Sequence, residues 1–513
     1  MEKADYVIVG GGTAALVVAC RLSENPETRI VVLERGEDTS SDARVQNPLM
    51  YESLNGSEMD WNLKGAPQAG LNGREFNQAA GKALGGSSVI NGCIFLPPAA
   101  AALNAWESLG NPGWNWETLA PYFQRAYTLH PRTGAPILIQ PAQSKADTTL
   151  LEAWKQAFEE HGYGYADELV SEGATIGTRP YTATIDPVSG HRSSAANGYG
   201  AILASRANVR IVAGANVTRI LFDSSAPNGN LTATGVEVQT EARKTVLFKP
   251  TKEVIMAAGV FNNPKILELS GIGDQARLQK LGISPLVHLP GVGENLMNHA
   301  MSVLSAPVKE HADIQDIAPG MKANALIRLA PADMQEILDR AQILNGPNEA
   351  SACIHFAIYP GNLAIVGLFP SFPFSRGSVH IQSADPASSP QIDPKYLNHP
   401  SDLDSMVRHV QHLQGILHSA RLQRFVDAPP PQDRAALAQL VREAMAIPTA
   451  HACGTAAMLP REKGGVVASD LKVYGVSNVR VVDASVFPVI SQANPISTVY
   501  TVAERAADLI RAN

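Results

Sequence analysis

The chain has 513 residues, more than one hydrophobic core supports, so two or more domains are expected. Hydrophobic residues make up 45% and charged residues 17%, a globular composition that excludes a disordered chain. The net charge of −7 carries no basic stripe, and no apolar run reaches about 18 residues. Neither a nucleic-acid partner nor a membrane span is therefore expected. The N-terminus shows no charged start with an apolar stretch and cleavage site, so the chain is expected to be intracellular and cytoplasmic. Cys20, Cys93, Cys353 and Cys453 form no CxxC pair, and no metal site is expected.

In chain order, Tyr6-Val7-Ile8-Val9 reads as a short buried strand, residues 14–22 as a helix of small apolar residues, and Ile30-Val31-Val32-Leu33 as a second buried strand. Residues 40–75 are polar and rich in Asn and Gly, an excursion from that βαβ start. Residues 81–98 form a second glycine-rich segment, and 99–127 read as helical with a break at 111–116. Strands are expected at 209–213, 216–222 and 253–258, and a helix at 263–269. The region 300–445 differs in style, with a strand piece at 379–381 and long polar helices at 403–422 and 434–445. Residues 465–513 return to strand (479–482) and helix (498–512).

The first and last segments share one style and the middle another. The expected fold is α/β, α+β overall. A Rossmann-like cofactor domain is assembled from residues 1–145, 195–300 and 446–513, with a substrate domain of antiparallel sheet and helices from 146–194 and 301–445.

Gly10-Gly11-Gly12-Thr13-Ala14-Ala15 links the first strand to the first helix in the pattern G-x-G-x-x-A. Gly10 makes the tight turn, Gly12 lets backbone approach a pyrophosphate, and the small Ala15 lets helix and strand pack. The helix start, including Thr13 and Ala14, offers free N–H groups and partial positive charge to phosphates. Glu34 closes the second strand, 24 residues after Gly10, where a carboxylate accepts bonds from a ribose hydroxyl. This predicts a dinucleotide site but does not separate flavin from nicotinamide.

The rest of the chain does. Residues 81–92, the Trp106-to-Tyr122 segment with Gly110-Asn111-Pro112-Gly113-Trp114, Arg192-Ser193-Ser194-Ala195, and Leu269-Ser270-Gly271-Ile272-Gly273 are family-type motifs. So are Gly293-Glu294-Asn295-Leu296, Arg376-Gly377-Ser378, His451-x-x-Gly454-Thr455, Asp483-Ala484-Ser485 and Asn494-Pro495. In order and over nearly the whole length, this set resembles the glucose–methanol–choline oxidoreductases, FAD-dependent alcohol oxidases and dehydrogenases.

The resemblance implies that residues 10–15 hold the FAD pyrophosphate, Glu34 and Arg35 the adenosine ribose, and Val217 the adenine through its backbone. It implies that Gly86, Ser87, Asn91, Gly92, Cys93 and Ile94 lie along the ribityl chain and isoalloxazine. Asp483, Ala484, Pro495 and Ile496 would contact phosphate and ring. Some members carry a histidine near Ile90 or Asn91 that bonds the flavin covalently. None stands there, so noncovalent FAD is expected. Leu296-Met297-Asn298-His299 stands where the family has an Asp before the His, leaving the role of that Asp open.

Alcohol oxidation needs a base for the hydroxyl proton, and histidine titrates in the useful range. The resemblance assigns His451 as that base and Asn494 as its orienting partner, with a primary alcohol as substrate and O₂ or a quinone as electron acceptor. The other 12 histidines read as structural. A lyase of the hydroxynitrile type and a light-driven decarboxylase remain open on the same scaffold.

Overall fold

The computed structural model describes residues 2–97, 100–128, 135–141, 148–166, 176–223, 230–240, 244–309, 320–330, 349–428 and 430–512. Its longer elements in chain order begin with strand β1 (Glu2–Val9), helix α1 (Thr13–Leu22) and strand β2 (Ile30–Leu33). Helices α2 (Ala100–Ser108), α3 (Trp116–Ala126) and α4 (Thr148–Glu160) follow. Next come strands β3 (Gly177–Pro180), β4 (Val209–Val212), β5 (Asn216–Asp223), β6 (Thr232–Gln239) and β7 (Thr245–Met256), then helix α5 (Asn262–Leu269). Strands β8 (Ala300–Pro307), β9 (Gly320–Ile327), β10 (Ala352–Tyr359) and β11 (Leu363–Pro370) precede helix α6 (Pro400–Leu417). Strands β12 (Ala446–Pro448) and β13 (Val479–Val481) and helix α7 (Ile496–Arg511) complete the chain.

Two sheets dominate this mixed α/β fold. The first runs β4-β2-β1-β7-β6-β5, with β13 also on β7. Its β4, β2, β1, β7 and β13 are mutually parallel, and β6 and β5 add antiparallel pairings. Thus the outer layers of sequence, residues 2–33 and 479–481, meet in one sheet across more than 400 residues of chain. Residues Tyr6 to Val9 of β1 and all of β2 are buried, with α1 packed on them and α7 packed on α1. α1 presents almost no polar residue, nine of its ten residues being buried, so small side chains let it sit close to the sheet.

The second sheet runs β12-β8-β11-β10-β9-β3, wholly antiparallel. Its back is covered by α4 and α6, where Trp154 stacks on Phe356 at 4.6 Å and Leu413, Ile416 and Leu417 fill the layer. Each sheet carries its own apolar core.

The sequence reading differs from the structure mainly in this second sheet. β8 to β11 have no counterpart among the expected strands. β10 is buried along seven of its eight residues, which erases the alternation by which strands are recognised. β6 was also not expected. The helix expected at 403–422 starts at Pro400, ends at Leu417 and resumes only at Ala420–Gln423, because Ser419 caps the second piece through Leu422 N–H. The helix expected at 434–445 is α-helical to Leu440 and widens to a π-turn over Val441–Met445. The break in 99–127 is found, with Asn115 capping α3 through Thr118 N–H.

Candidate active site

A cavity of about 900 Å³ lies where the carboxyl ends of the parallel strands face the second sheet. Open α/β sheets place ligands at that end. The first sheet contributes backbone. Gly10 turns with φ +97°, and a Cβ there would stand 2.4 Å from the carbonyl oxygen of Ala257. Gly12 caps α1 with no side-chain bond, so the first-turn N–H groups are left for a ligand. A Cβ on Gly12 would touch nothing closer than 3.8 Å, and one on Gly259 nothing within 4 Å. Both would instead occupy the cavity they line. The loop from Gly85 is laced onto the glycine turn by Gly85 N–H to Gly11 O at 2.8 Å.

These features fit a flavin dinucleotide. An uncapped helix start suits a phosphate, glycines open the wall for close approach, and the carboxylate of Glu34 lines the same wall. Glu34 Oε2 accepts Gly11 N–H at 2.6 Å and Oε1 accepts Gly36 N–H at 2.8 Å. Burial pushes its carboxyl up to about 7, against the pull of the Gly36 and Gly11 amides. Asp483 is held in the same manner. It accepts Gly259 N–H at 2.8 Å, Asn263 Nδ2 at 2.7 Å and both the amide and hydroxyl of Ser485. Burial nevertheless raises its proton affinity. Its carboxylate thus sets the two turns that carry Gly259 and Ala484.

Gly10, Gly12, Thr13, Ala14, Glu34, Arg35, Gly86, Ser87, Asn91, Gly92, Ile94, Val217, Asp483, Ala484, Pro495 and Ile496 all line this one cavity, with His451 and Asn494. Two expected contacts do not. Ala15 is fully buried in the packing of α1 on the sheet. Cys93 turns inward against Tyr181 and Ala183, its left-handed backbone (φ 61°) held by its N–H to Asn91 Oδ1 at 3.1 Å. The loop itself is clamped by buried Arg192, whose Nη1 donates to Asn91 Oδ1 at 2.8 Å and whose Nε donates to Val45 O at 2.9 Å.

At the other end of the cavity the second sheet contributes side chains. Met297 and Cys453 exchange both backbone bonds at 2.9 Å, so the segments holding His299 and His451 run side by side. Asn298 Oδ1 accepts the backbone N–H of His451 at 2.9 Å while its Nδ2 donates to Tyr396 Oη at 2.6 Å. That answers the open question at this position: here the amide anchors the loop of His451. Ala450, with φ 58°, turns the chain just before it.

His451 Nε2 lies 3.0 Å from Asn494 Nδ2, which donates to it. His451 Nδ1 lies 2.9 Å from His299 Nδ1. His355, on β10, also lines the cavity, with Nδ1 2.7 Å from Asn324 Oδ1 and its ring interacting with the Asn494 amide. Burial drives His299 and His355 down to about 4 and His451 well below its usual value. All three rings are neutral at pH 7.

His299 and His355, expected to be structural, both stand at the site, His299 against His451 and His355 in the cavity wall. The signal for His299 was present, since it closes the singled-out run Leu296-Met297-Asn298-His299. His355 is the one histidine of a strand otherwise made of apolar and small residues with Cys353 and Tyr359, and its place at the cavity follows only from β10.

Models of GMC oxidoreductase sequences match residues 4–301 and 373–503. The chain is 32% identical to a GMC oxidoreductase family protein of Malassezia sympodialis, covering 99% of this chain and 92% of that one. Among solved structures it is similar to formate oxidase of Aspergillus oryzae RIB40, with TM-score 0.90 and 26% identity over 100% of this chain and 98% of that one. It is likewise similar to a fungal aryl-alcohol oxidase, with TM-score 0.86 and 27% identity over 99% of each chain. Among the described residues no helix is long and apolar enough to cross a membrane, and no cluster of three or more metal-ligating side chains occurs.

Proposed function

We propose that this chain, which belongs to the GMC oxidoreductase family of FAD-dependent enzymes, oxidises a neutral primary alcohol to its aldehyde. The observation that carries this reading is the contact of His451 Nε2 with Asn494 Nδ2 at 3.0 Å inside the cavity that the glycine loop lines. FAD, when bound, supplies the acceptor for the hydride. His451 takes the hydroxyl proton at Nε2. Asn494 holds the same oxygen and keeps it aimed at that nitrogen. The expected FAD contacts are those residues named above that line the cavity, and the cofactor is held without a covalent bond, the 86–94 loop having no histidine.

The chemistry of the walls supports the substrate class. The only cationic side chains lining the cavity among the described residues are Arg35 and Lys265, neither of them on the second sheet. The second sheet offers Met301, Met321, Ala357, Ile365, Phe369 and Ile447 around neutral histidines. An anion would find no countercharge there, while an aryl or alkyl body would find apolar contact. We assign the cofactor part to residues 1–145, 195–300 and 446–513 and the substrate part to 146–194 and 301–445. The short β12 pairs with the second sheet beside the last of these boundaries.

The test is anaerobic mixing of the yellow holoenzyme in the dark with benzylic, aliphatic and sugar alcohols and with formate. Bleaching by a neutral alcohol is expected. A flavin that no alcohol reduces would sink the reading, and reduction by formate alone would overturn the substrate class. Comparing O₂ with a quinone dye then identifies the acceptor.

A further inference from the structure

Behind His451 stands a second imidazole with no surface of its own. His299 is fully buried, and both its ring nitrogens are engaged. Its Nε2 lies 2.9 Å from the carbonyl oxygen of Ser371, and its Nδ1 lies 2.9 Å from Nδ1 of His451. A carbonyl oxygen only accepts, so the hydrogen of His299 is on Nε2. Burial keeps the ring neutral, with an affinity for a second proton lowered to about 4, so Nδ1 is a bare lone pair. The Nδ1 to Nδ1 contact then has one polarity: His451 Nδ1–H donates to His299. His451 is itself neutral, kept so by burial and by the neighbouring imidazoles of His299 and His355. Its single hydrogen is spent on His299, and Nε2, the nitrogen facing Asn494, is unprotonated.

The surroundings fix this arrangement. Ser371 is tied by its own N–H to Ser351 O at 2.9 Å, which holds its carbonyl at the end of β11. Phe369 stacks on the His299 ring at 4.4 Å and meets His451 edge-on at 5.4 Å, so neither ring turns freely. The opposite tautomer of His451 would set two bare Nδ1 lone pairs 2.9 Å apart and present an N–H to the substrate hydroxyl. Such a ring repels its neighbour and has no lone pair on the nitrogen that faces the substrate.

We propose that His299 is a positioning residue: anchored on the Ser371 carbonyl, it fixes the hydrogen of His451 on Nδ1 and so keeps Nε2 free to accept the hydroxyl proton. The proposal rests on the reading of His451 as the base. A purely structural histidine needs only volume at this place, whereas a positioning histidine needs its acceptor at Nδ1. The two requirements separate on substitution. Asn at 299 keeps an acceptor oxygen near the Nδ1 position, and Leu keeps bulk without it.

The experiment uses holoenzyme labelled with ¹⁵N in its histidines, the His451 signals being assigned by difference from His451→Gln. In the wild type, Nδ1 of His451 is expected protonated and Nε2 bare. A protonated Nε2 overturns the proposal. Anaerobic flavin reduction by the best alcohol is then timed in His299→Leu and His299→Asn, at equal FAD content. The Leu variant is expected to slow about 10- to 100-fold, the loss that follows removal of a partner orienting a metal-bound imidazole, with its fixed tautomer gone from the spectrum. The Asn variant is expected to regain most of the rate. A Leu variant within about twofold of wild type, or an Asn variant no faster than Leu, overturns the proposal. If the Leu variant does not fold, the wild-type spectrum decides by the same criterion, and an Asn variant slowed more than about tenfold against wild type overturns the proposal. Failure of the base reading is seen separately, as wild-type flavin reduction by His451→Gln, and leaves the spectral result standing on its own.

Discussion

The two sheets meet the cavity by opposite means. The parallel sheet offers backbone: N–H groups of an uncapped helix, glycines that leave room, and carboxylates turned inward to hold the turns. The antiparallel sheet and the loops beside it offer side chains: three neutral imidazoles, one amide and an apolar wall. A backbone site is spread over many atoms and tolerates the loss of any one side chain. A side-chain site concentrates its chemistry in a few atoms. Substitutions at the two ends are therefore expected to separate binding from reaction, and pH is expected to act on them with opposite sign.

The largest effect is expected on stability in acid. Buried His299, His355 and His409 are held neutral, each from the ordinary 6.5 down to about 4. Their folded values lie below the unfolded one, so their contribution is complete above pH 6.5 and is lost as pH falls through 4. At about 1.4 kcal/mol per unit, each is worth roughly 3 kcal/mol at most. Glu34 runs the other way. Its folded value of about 7 exceeds the ordinary 4.5, so in flavin-free protein its contribution is present below pH 4.5 and lost as pH rises through 7. Urea unfolding across pH checks both. A Glu34→Gln variant that kept the loss of stability on the alkaline side would break the assignment.

Next in size is the base. His451→Ala is expected to keep its FAD and its fold, while flavin reduction by alcohol slows ~10²–10⁴-fold. Rapid anaerobic mixing measures this, and loss of FAD along with activity would erase the distinction between the two sheets. Glu34→Ala is expected to reverse the pattern. Removing a charged acceptor worth about 1.5–3 kcal/mol weakens FAD retention about 10- to 100-fold. Once reconstituted, the variant should reduce at a near-normal rate. Equilibrium titration of flavin fluorescence gives the first number and stopped flow the second.

Asn494→Ala should cost less than His451→Ala, about tenfold, because it aims the hydroxyl and does not take its proton. With His451→Ala it should be less than additive, the two acting on one oxygen. The smallest effect is expected at Gly367. A Cβ there would come within 2.6 Å of Met301 Sδ, the far end of a flexible side chain that can move into the cavity. Gly367→Ala should raise KM for bulky alcohols a few-fold, leaving FAD affinity and kcat for small ones in place. A change in FAD affinity would show that this strand reaches the cofactor end.

The contrast also explains what could be read in the chain itself. Gly10, Gly12 and Glu34 were legible because a phosphate loop is local: strand, turn, helix and acid fall within 34 residues, each dictated by its own backbone geometry. The same holds for the α/β class and for the helix break before Asn115, whose cap is set by the residue three places on. Strands β9 to β11 are not legible, since burial on both faces removes the period-two signal, while β8 alternates in burial but puts Ser302 on its buried face and Met301 and Val303 on the other, which hides the alternation in the sequence. With them went His355.

The glycine turn and the acid that follows it are readable in the chain because each rests on short-range covalent geometry, and the family is readable because its motifs keep their order along the chain. It takes the folded chain to turn Cys93 away from the cavity, to hang the backbone of His451 on Asn298, and to stand His299 2.9 Å behind it. The reason is physical. Which nitrogen of an imidazole holds the hydrogen depends on partners 72 and 152 residues distant, and only folding brings the Ser371 carbonyl and the two rings into one line.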